Sequence, residues 1–63
     1  MSEEFRAYEV YYVDDNGEEH ELGALIATSE EDARRRAKRF IYQQHGVDEV
    51  RAWQHYGPRI REG

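Results

Sequence analysis

Residues 5–27 read FRAYEVYYVDDNGEEHELGALIA, and they carry the clearest structural signal of the chain. Two runs within it, residues 5–13 and 18–27, are rich in the aromatic and aliphatic side chains that suit the pleated surface of β-strands. Between them, Asp14-Asp15-Asn16-Gly17 supplies the residue types that favour a tight hairpin turn. We therefore predict an antiparallel hairpin as the first half of the fold.

The type of turn determines which side chains of the hairpin share a face. A two-residue loop would place Glu9 among the apolar side chains of the second strand, which makes a poor core. A three-residue loop, with Gly17 in the left-handed conformation, groups the apolar side chains of both strands on one face. These side chains are Tyr8, Val10, Tyr12, Leu22, Ala24 and Ile26. The sequence therefore predicts the three-residue loop and a buried Ile26.

A helix is predicted after the hairpin. A Thr-Ser pair followed by three acidic residues, at 28–32, is typical of a capped helix start. Apolar residues then recur at helical spacing, and Gly46 is a suitable residue to end the helix near His45. The apolar stripe consists of Ala33, Ala37, Phe40 and Ile41.

The next segment, residues 48–56, is predicted as the third strand, because Val50 and Ala52 alternate with Arg51 and Trp53. The fold class is then α+β in the order β-β-α-β. It has a three-stranded antiparallel or mixed sheet, of strand order 2-1-3, with one helix packed on one face. The 63 residues form a single domain, and we expect residues 1–4 and 59–63 to be flexible tails.

The sheet face opposite the helix is predicted to bind another protein or a second copy of the chain. A strand that is exposed on one side ordinarily alternates apolar and polar residues, but the first strand is apolar on both sides. The side chains expected on this face are Phe5, Ala7, Tyr11, Val13, Leu25 and Trp53. We predict a homodimer. In the alternative interpretation, the N-terminus or the C-terminal tail folds across the face.

Charge is distributed unevenly along the chain. Residues 1–32 contain eleven acidic residues and one basic residue, whereas residues 33–63 contain eight basic and three acidic residues. Five acidic residues crowd the hairpin, and we call this set the acidic hairpin: Asp14, Asp15, Glu18, Glu19 and Glu21. Such a surface favours a basic protein as partner. The expected function is therefore a non-enzymatic protein-interaction module, such as a small stoichiometric inhibitor or adaptor.

Residues 22–41, LGALIATSEEDARRRAKRFI, resemble the strand-cap-helix unit of many small β-β-α-β domains, including phage-type ones. The resemblance covers a third of the chain. The pattern is generic and identifies no family. Small acidic proteins of mobile elements often act as stoichiometric inhibitors. The chain is therefore a candidate phage or mobile-element protein.

The alternative function is nucleic-acid binding by the basic face of the helix. Clustered guanidinium and ammonium groups suit the phosphate backbone, and the residues concerned are Arg34, Arg35, Lys38 and Arg39. A purely structural interpretation pairs these residues with acidic neighbours one helical turn away.

Catalysis and cofactor chemistry are not predicted. The chain has no cysteine, and its three histidines do not follow a metal-ligand spacing. Thr28 and Ser29 are better explained as helix caps than as nucleophiles. We therefore expect no enzyme activity, no metal, no cofactor and no small-molecule substrate. No apolar run approaches the roughly 20 residues of a membrane span, so we expect a cytoplasmic protein with no membrane partner.

Overall fold

The computed structural model describes residues 4–63. Five elements follow one another: β1 (Arg6–Val13), β2 (Glu19–Ala27), α1 (Glu30–Gln44), α2 (Val47–Tyr56) and β3 (Arg59–Glu62). The three strands form one antiparallel sheet of order β2-β1-β3. The predicted α+β class and strand order are therefore confirmed, but two helices are present where one was predicted.

Both helices contribute to a single core against one face of the sheet. Its buried members are Tyr8, Val10, Ala27, Ala33, Ala37, Ile41, Val50, Trp53 and Ile60. Alanine at the helix–strand contacts allows α1 to approach β2 closely, while Ile41 and Val10 fill the centre. We call the other face of the sheet, which neither helix covers, the open face.

The hairpin turn has the predicted three-residue loop. The Asp14 amide donates to the Glu18 carbonyl at 3.0 Å, and the Gly17 amide donates to the Asp14 carbonyl at 3.0 Å. Gly17 has a φ of 81°, the left-handed conformation that glycine adopts without steric cost. Next to the turn, Tyr12 lies opposite His20, as the predicted register requires.

A bulge at Leu22 changes the register further along β2. Tyr11 pairs with Glu21, but Val10 pairs with Gly23, so Leu22 is an extra residue on β2. The His45 ring holds the bulge, because its Nε2 donates to the Leu22 carbonyl at 2.6 Å. Beyond this point every β2 side chain lies on the face opposite to the predicted one.

The prediction that Ala24 and Ile26 are core residues is therefore wrong. Ala24 pairs with Glu9 and Ile26 pairs with Ala7, which places both on the open face. Ile26 is 61 % exposed. Leu25, which was predicted on the open face, instead packs against the core.

Glycine at position 23 is required by the approach of α1. Its φ is 146°, and a Cβ atom placed there would lie 2.6 Å from Cζ of Phe40. We expect Gly23→Ala to lower the free energy of unfolding by about 1–3 kcal/mol, because the methyl group overpacks the Phe40 contact. Urea denaturation measures the loss. Gly57→Ala is the control, because Gly57 also has a positive φ, 107°, but no atom of the described residues lies within 4 Å of its Cβ position. Equal losses in both variants would contradict this explanation.

The N-terminus of α1 is capped as the sequence predicts. Ser29 is the N-cap residue, and its Oγ accepts a hydrogen bond from the Asp32 amide at 3.1 Å. Asp32 reaches back to Thr28, accepting from the backbone amide at 3.0 Å and from the hydroxyl at 3.1 Å. These bonds satisfy amides that a helix start leaves without partners.

The predicted third strand at residues 48–56 is wrong, because this segment forms α2. Val50 and Trp53 are both buried, and their spacing of three residues puts them on one side of a helix but on opposite sides of a strand. Acidic residues 48 and 49 occupy the first turn of α2, and Gly57 follows the last turn with a φ of 107°. The burial of Trp53 on the same side as Val50 therefore favours a helix over a strand.

The predicted flexible tail at residues 59–63 is also wrong. Residues 59–62 form β3, which pairs with β1 and buries Ile60 in the core. The Gly63 amide donates to the Ala7 carbonyl at 2.9 Å and continues the pairing. The C-terminal segment thus extends the sheet and does not fold across its open face. Of the other predicted tail, residues 1–3 lie outside the described residues.

Candidate functional site

The open face carries a mixture of apolar and charged side chains, with Glu9, Glu19 and Glu21 among them. One corner, with Ala7, Ala24 and Ile26, is apolar and exposed. The centre is charged, because Glu9 and Glu19 both contact the guanidinium group of Arg61.

Arg61 organises the centre of the open face. Its Nε donates to Glu9 Oε2 at 2.6 Å, and its NH1 lies 2.9 Å from Glu19 Oε1. The guanidinium also lies 4.4 Å from the centre of the Tyr11 ring, a cation–π contact. The bond to Glu9, followed by the one to Glu19, raises the pKa of Arg61. Arg61 thus offsets part of the negative charge of Glu9 and Glu19 within the chain.

The predicted interface residues divide into three groups. Ala7, Tyr11 and Val13 lie on the open face, as expected. Phe5 precedes β1 and is 53 % exposed, with its ring under the Arg36 guanidinium. Leu25 and Trp53 are excluded from this face, because both pack on the helix side of the sheet.

Sequence reasoning missed Arg61 and Ile26 as surface features. The alternation Arg59-Ile60-Arg61 after Gly-Pro is a short strand signal that could have placed Arg61 on the sheet. The position of Ile26 depends on the Leu22 bulge, for which the local sequence offers only Gly23 as a signal.

The acidic hairpin has a preorganised tip. Asp14 Oδ1 accepts hydrogen bonds from the amides of Asn16 and Glu18 at 2.9 and 3.0 Å, which fixes the turn. Its Oδ2 lies 2.8 Å from His20 Nε2. The hydrogen bond with His20, and then that with the Glu18 amide, lowers the pKa of Asp14. Its carboxylate is thereby kept ionised at the tip.

Stacked rings brace the hairpin against α2. Tyr12 stacks on His20 with centroids 4.7 Å apart, and Tyr56 of α2 stacks on the other side of Tyr12 at 5.5 Å. Asp14 and Glu18 each bring one side-chain oxygen to within 4.8 Å of the His20 ring nitrogen. The turn hydrogen bonds and the His20 contact account for this cluster, so we assign no metal ion to it.

Within residues 4–63, three of the five acids of the acidic hairpin form no ion pair: Asp15, Glu18 and Glu21. All three are exposed. The hairpin therefore presents uncompensated negative charge on a rigid support.

The basic face of α1 is partly neutralised. Arg35 NH2 lies 2.5 Å from Asp32 Oδ1, and Arg36 Nε lies 2.9 Å from Asp32 Oδ2. Arg34 pairs with Glu30 at 3.3 Å. Of the four residues predicted to contact phosphate, Lys38 and Arg39 form no ion pair within the described part of the chain, and both are exposed.

Asp32 is a buried carboxylate that links α1 to the end of β2. Hydrogen bonds from the Thr28 amide, and next from Arg35, hold the pKa of Asp32 far below its usual range. Since the folded-state pKa is lowered, ionised Asp32 contributes stability above the unfolded-state pKa of about 4, and this is lost as the pH falls below it.

We therefore expect acid to destabilise the wild type more steeply than Asp32→Asn. The variant has lower stability at neutral pH, but its melting temperature should change less between about pH 5 and pH 2. Asp15→Asn, at an exposed loop position, should retain the wild-type acid response. Thermal melts followed by circular dichroism measure all three. Parallel curves for the wild type and Asp32→Asn would contradict the role of Asp32.

Arg35, Arg36 and Arg39 line a groove between β2 and α1. It has a volume of about 520 Å³. We call it the arginine groove, and its lining is Leu25, Ile26, Asp32, Arg35, Arg36, Arg39, Phe40 and Gln43. Three of the lining residues are arginines and one is an aspartate, so the groove is basic. Leu25, Ile26 and Phe40 add apolar surface to it. β2 contributes two of the lining residues, Leu25 and Ile26, and α1 contributes the other six.

The described part of the chain offers no helix long and apolar enough to cross a membrane.

The two hydroxyls at the start of α1, those of Thr28 and Ser29, both form hydrogen bonds with Asp32.

Comparison of the chain with known protein families, with curated proteins and with solved structures found no significant match.

Proposed function

We propose that the chain is a non-enzymatic protein-interaction module that presents its acidic hairpin to a basic protein surface. One observation carries the proposal: exposed carboxylates that form no ion pair with any of residues 4–63 stand on a hairpin braced by hydrogen bonds and by stacked rings. A preorganised charged surface binds without the entropic cost of ordering its side chains and loop. It also accelerates encounter with a partner of opposite charge.

The overall shape supports this role. The molecule measures 42 × 23 × 14 Å, which is elongated for its length. His45, directly after α1, contacts Leu22, so α1 ends before the acidic end of β2. The hairpin tip is therefore accessible to a partner. A small domain that binds through such a tip can act as an inhibitor or adaptor, and self-association to a homodimer belongs to the same proposal.

Support for a non-enzymatic role comes from the engagement of the candidate nucleophiles. Thr28 Oγ1 donates to Asp32, and Ser29 Oγ accepts from the Asp32 amide. Hydroxyls used in this way cap a helix, and neither contacts a histidine that could act as a general base.

The nucleic-acid alternative receives less support. Arg34, Arg35 and Arg36 are bound to acidic neighbours, and phosphate contacts would have to replace those bonds. A nucleic-acid complex would show a steep fall of affinity with salt for random-sequence DNA or RNA.

A comparison of three immobilised baits tests the proposal: the wild type, Glu18→Gln/Glu21→Gln, and the control Glu31→Gln/Asp48→Asn. Both variants remove two exposed carboxylates, so they have the same net charge. We expect a basic protein from an extract of the source cells to be retained by the wild type and the control, and lost from the hairpin variant. Retention of such a protein by all three baits alike, or failure of the wild-type bait to retain either a basic protein or a second copy of this chain, would refute the role of the acidic hairpin.

A further inference from the structure

β2 has a free edge. It lies at the outside of the sheet with β1 as its one neighbour among residues 4–63, and it is nine residues long. Such a strand leaves backbone N–H and C=O groups without sheet partners on both sides of the Leu22 bulge, where the His45 ring already binds the Leu22 carbonyl, and these groups can pair with another strand. The opposite edge is formed by β3, which has four residues of which three are charged. Short length and charge both oppose pairing there.

The charge beside this free edge changes sign along β2. At one end, the side chains of Asp14 and Glu18 lie close to the His20 ring. His20 pairs with Tyr12, and both side chains face the helix side of the sheet. At the other end the arginine groove begins beside Leu25, on the same side of the sheet. An antiparallel copy of β2 would therefore bring acidic residues opposite basic ones.

We propose that the arginine groove binds the acidic hairpin of a second copy, with the two β2 edges paired antiparallel about a two-fold axis. The inference rests on the proposed function, because it identifies the basic surface that the hairpin binds. A two-fold interface uses the same surface on both copies, so each contact of Glu18 with the partner's arginine groove occurs twice.

The positions of the helices are compatible with this arrangement. Phe40 lies on Gly23 and His45 bonds to Leu22, so α1 covers β2 from the bulge towards Ala27. The strand between Glu18 and Glu21 has no α1 beside it. In an antiparallel pair, α1 of one copy would lie beside this half of the other, which its own α1 leaves uncovered. Ile26, which is 61 % exposed, gains a neighbour at the same time.

Charge reversal tests this arrangement, because two variants that each weaken the dimer should bind to one another. Glu18→Arg makes both contributing surfaces basic, and Arg39→Glu places a carboxylate in the arginine groove. Each variant alone repels its own copy, whereas a mixture of the two pairs opposite charges at both contacts. Asp48→Arg and Arg51→Glu are the controls, because they make the same charge changes at exposed positions of α2, away from the groove.

Native mass spectrometry at low ionic strength resolves the dimers by mass, and circular dichroism verifies that each variant is folded. We expect the wild type and both controls to dimerise, and each reversal to weaken its own dimer by about tenfold or more. The equimolar mixture should form mainly the mixed dimer. Dimers that persist in both reversals would overturn the inference while leaving self-association intact. A monomeric wild type would also overturn it, and the hairpin's capture of a different basic protein would then decide the proposed function separately.

Discussion

Replacement of Trp53 by alanine is expected to unfold most of the protein. Trp53 is 4 % exposed and lies between α2 and the sheet. Truncation of a buried tryptophan costs about 3–5 kcal/mol. The core of a domain this small supplies no more than about 3–5 kcal/mol in total, so the variant should be largely unfolded without denaturant. Far-ultraviolet circular dichroism with urea titration measures the loss.

A second variant separates packing from hydrogen bonding at this position. Within the described residues, the indole Nε1 has no hydrogen-bond partner. Trp53→Phe therefore loses volume but no bond, and it should cost clearly less than Trp53→Ala. Tyr42→Ala, at a largely exposed position of α1, is the surface control. A Trp53→Ala protein as stable as the Tyr42→Ala protein would place Trp53 outside the core and would restore the strand interpretation of residues 48–56.

Replacement of Ile41 by alanine is expected to have the next largest effect. Ile41 is fully buried on α1, and loss of its side chain should cost about 2–5 kcal/mol, depending on how far the core collapses around the cavity. The same substitution at Ile26 is the matched control. Ile26 lies mostly in solvent, so Ile26→Ala should change the stability of the monomer by no more than about 0.5 kcal/mol.

The order of these two losses tests the bulge. If β2 had the regular register, Ile26 would face the helices and its truncation would be as costly as that of Ile41. A larger loss at Ile26 than at Ile41 in urea denaturation would therefore contradict the bulge at Leu22. The measurement is best made at low protein concentration, where association does not contribute to stability.

The local sequence was sufficient to predict the elements whose signals lie within a few residues. The turn at Asp14–Gly17 and the Ser29 cap have partners no more than four residues away. The bulge could not be predicted in this way, because the His45 ring that holds it is 23 residues from Leu22. The misassigned α2 had a different cause. Its residues fit both periodicities, and only the burial of Trp53 beside Val50 distinguishes the two.

The residue types of the candidate site could be predicted from the sequence, but the contacts between distant residues could not. The acidic hairpin follows directly from the sequence, since its residues are neighbours in the chain. The ion pair between Arg61 and Glu9 joins residues 52 positions apart, and it depends on a strand that the sequence pattern assigned to a tail. The arginine groove likewise needs both the bulge and the helix stripe, so no single segment indicates it.

The proposed function makes the acidic hairpin a protein-binding surface. The most direct measurement follows the backbone amide resonances of the isotopically labelled chain by nuclear magnetic resonance. One series raises the protein concentration from micromolar to millimolar, and a second adds an arginine-rich peptide. We expect shifts concentrated in residues 14–21, accompanied in the first series by shifts around the arginine groove. Resonances of residues 14–21 that stay unchanged in both series would contradict it.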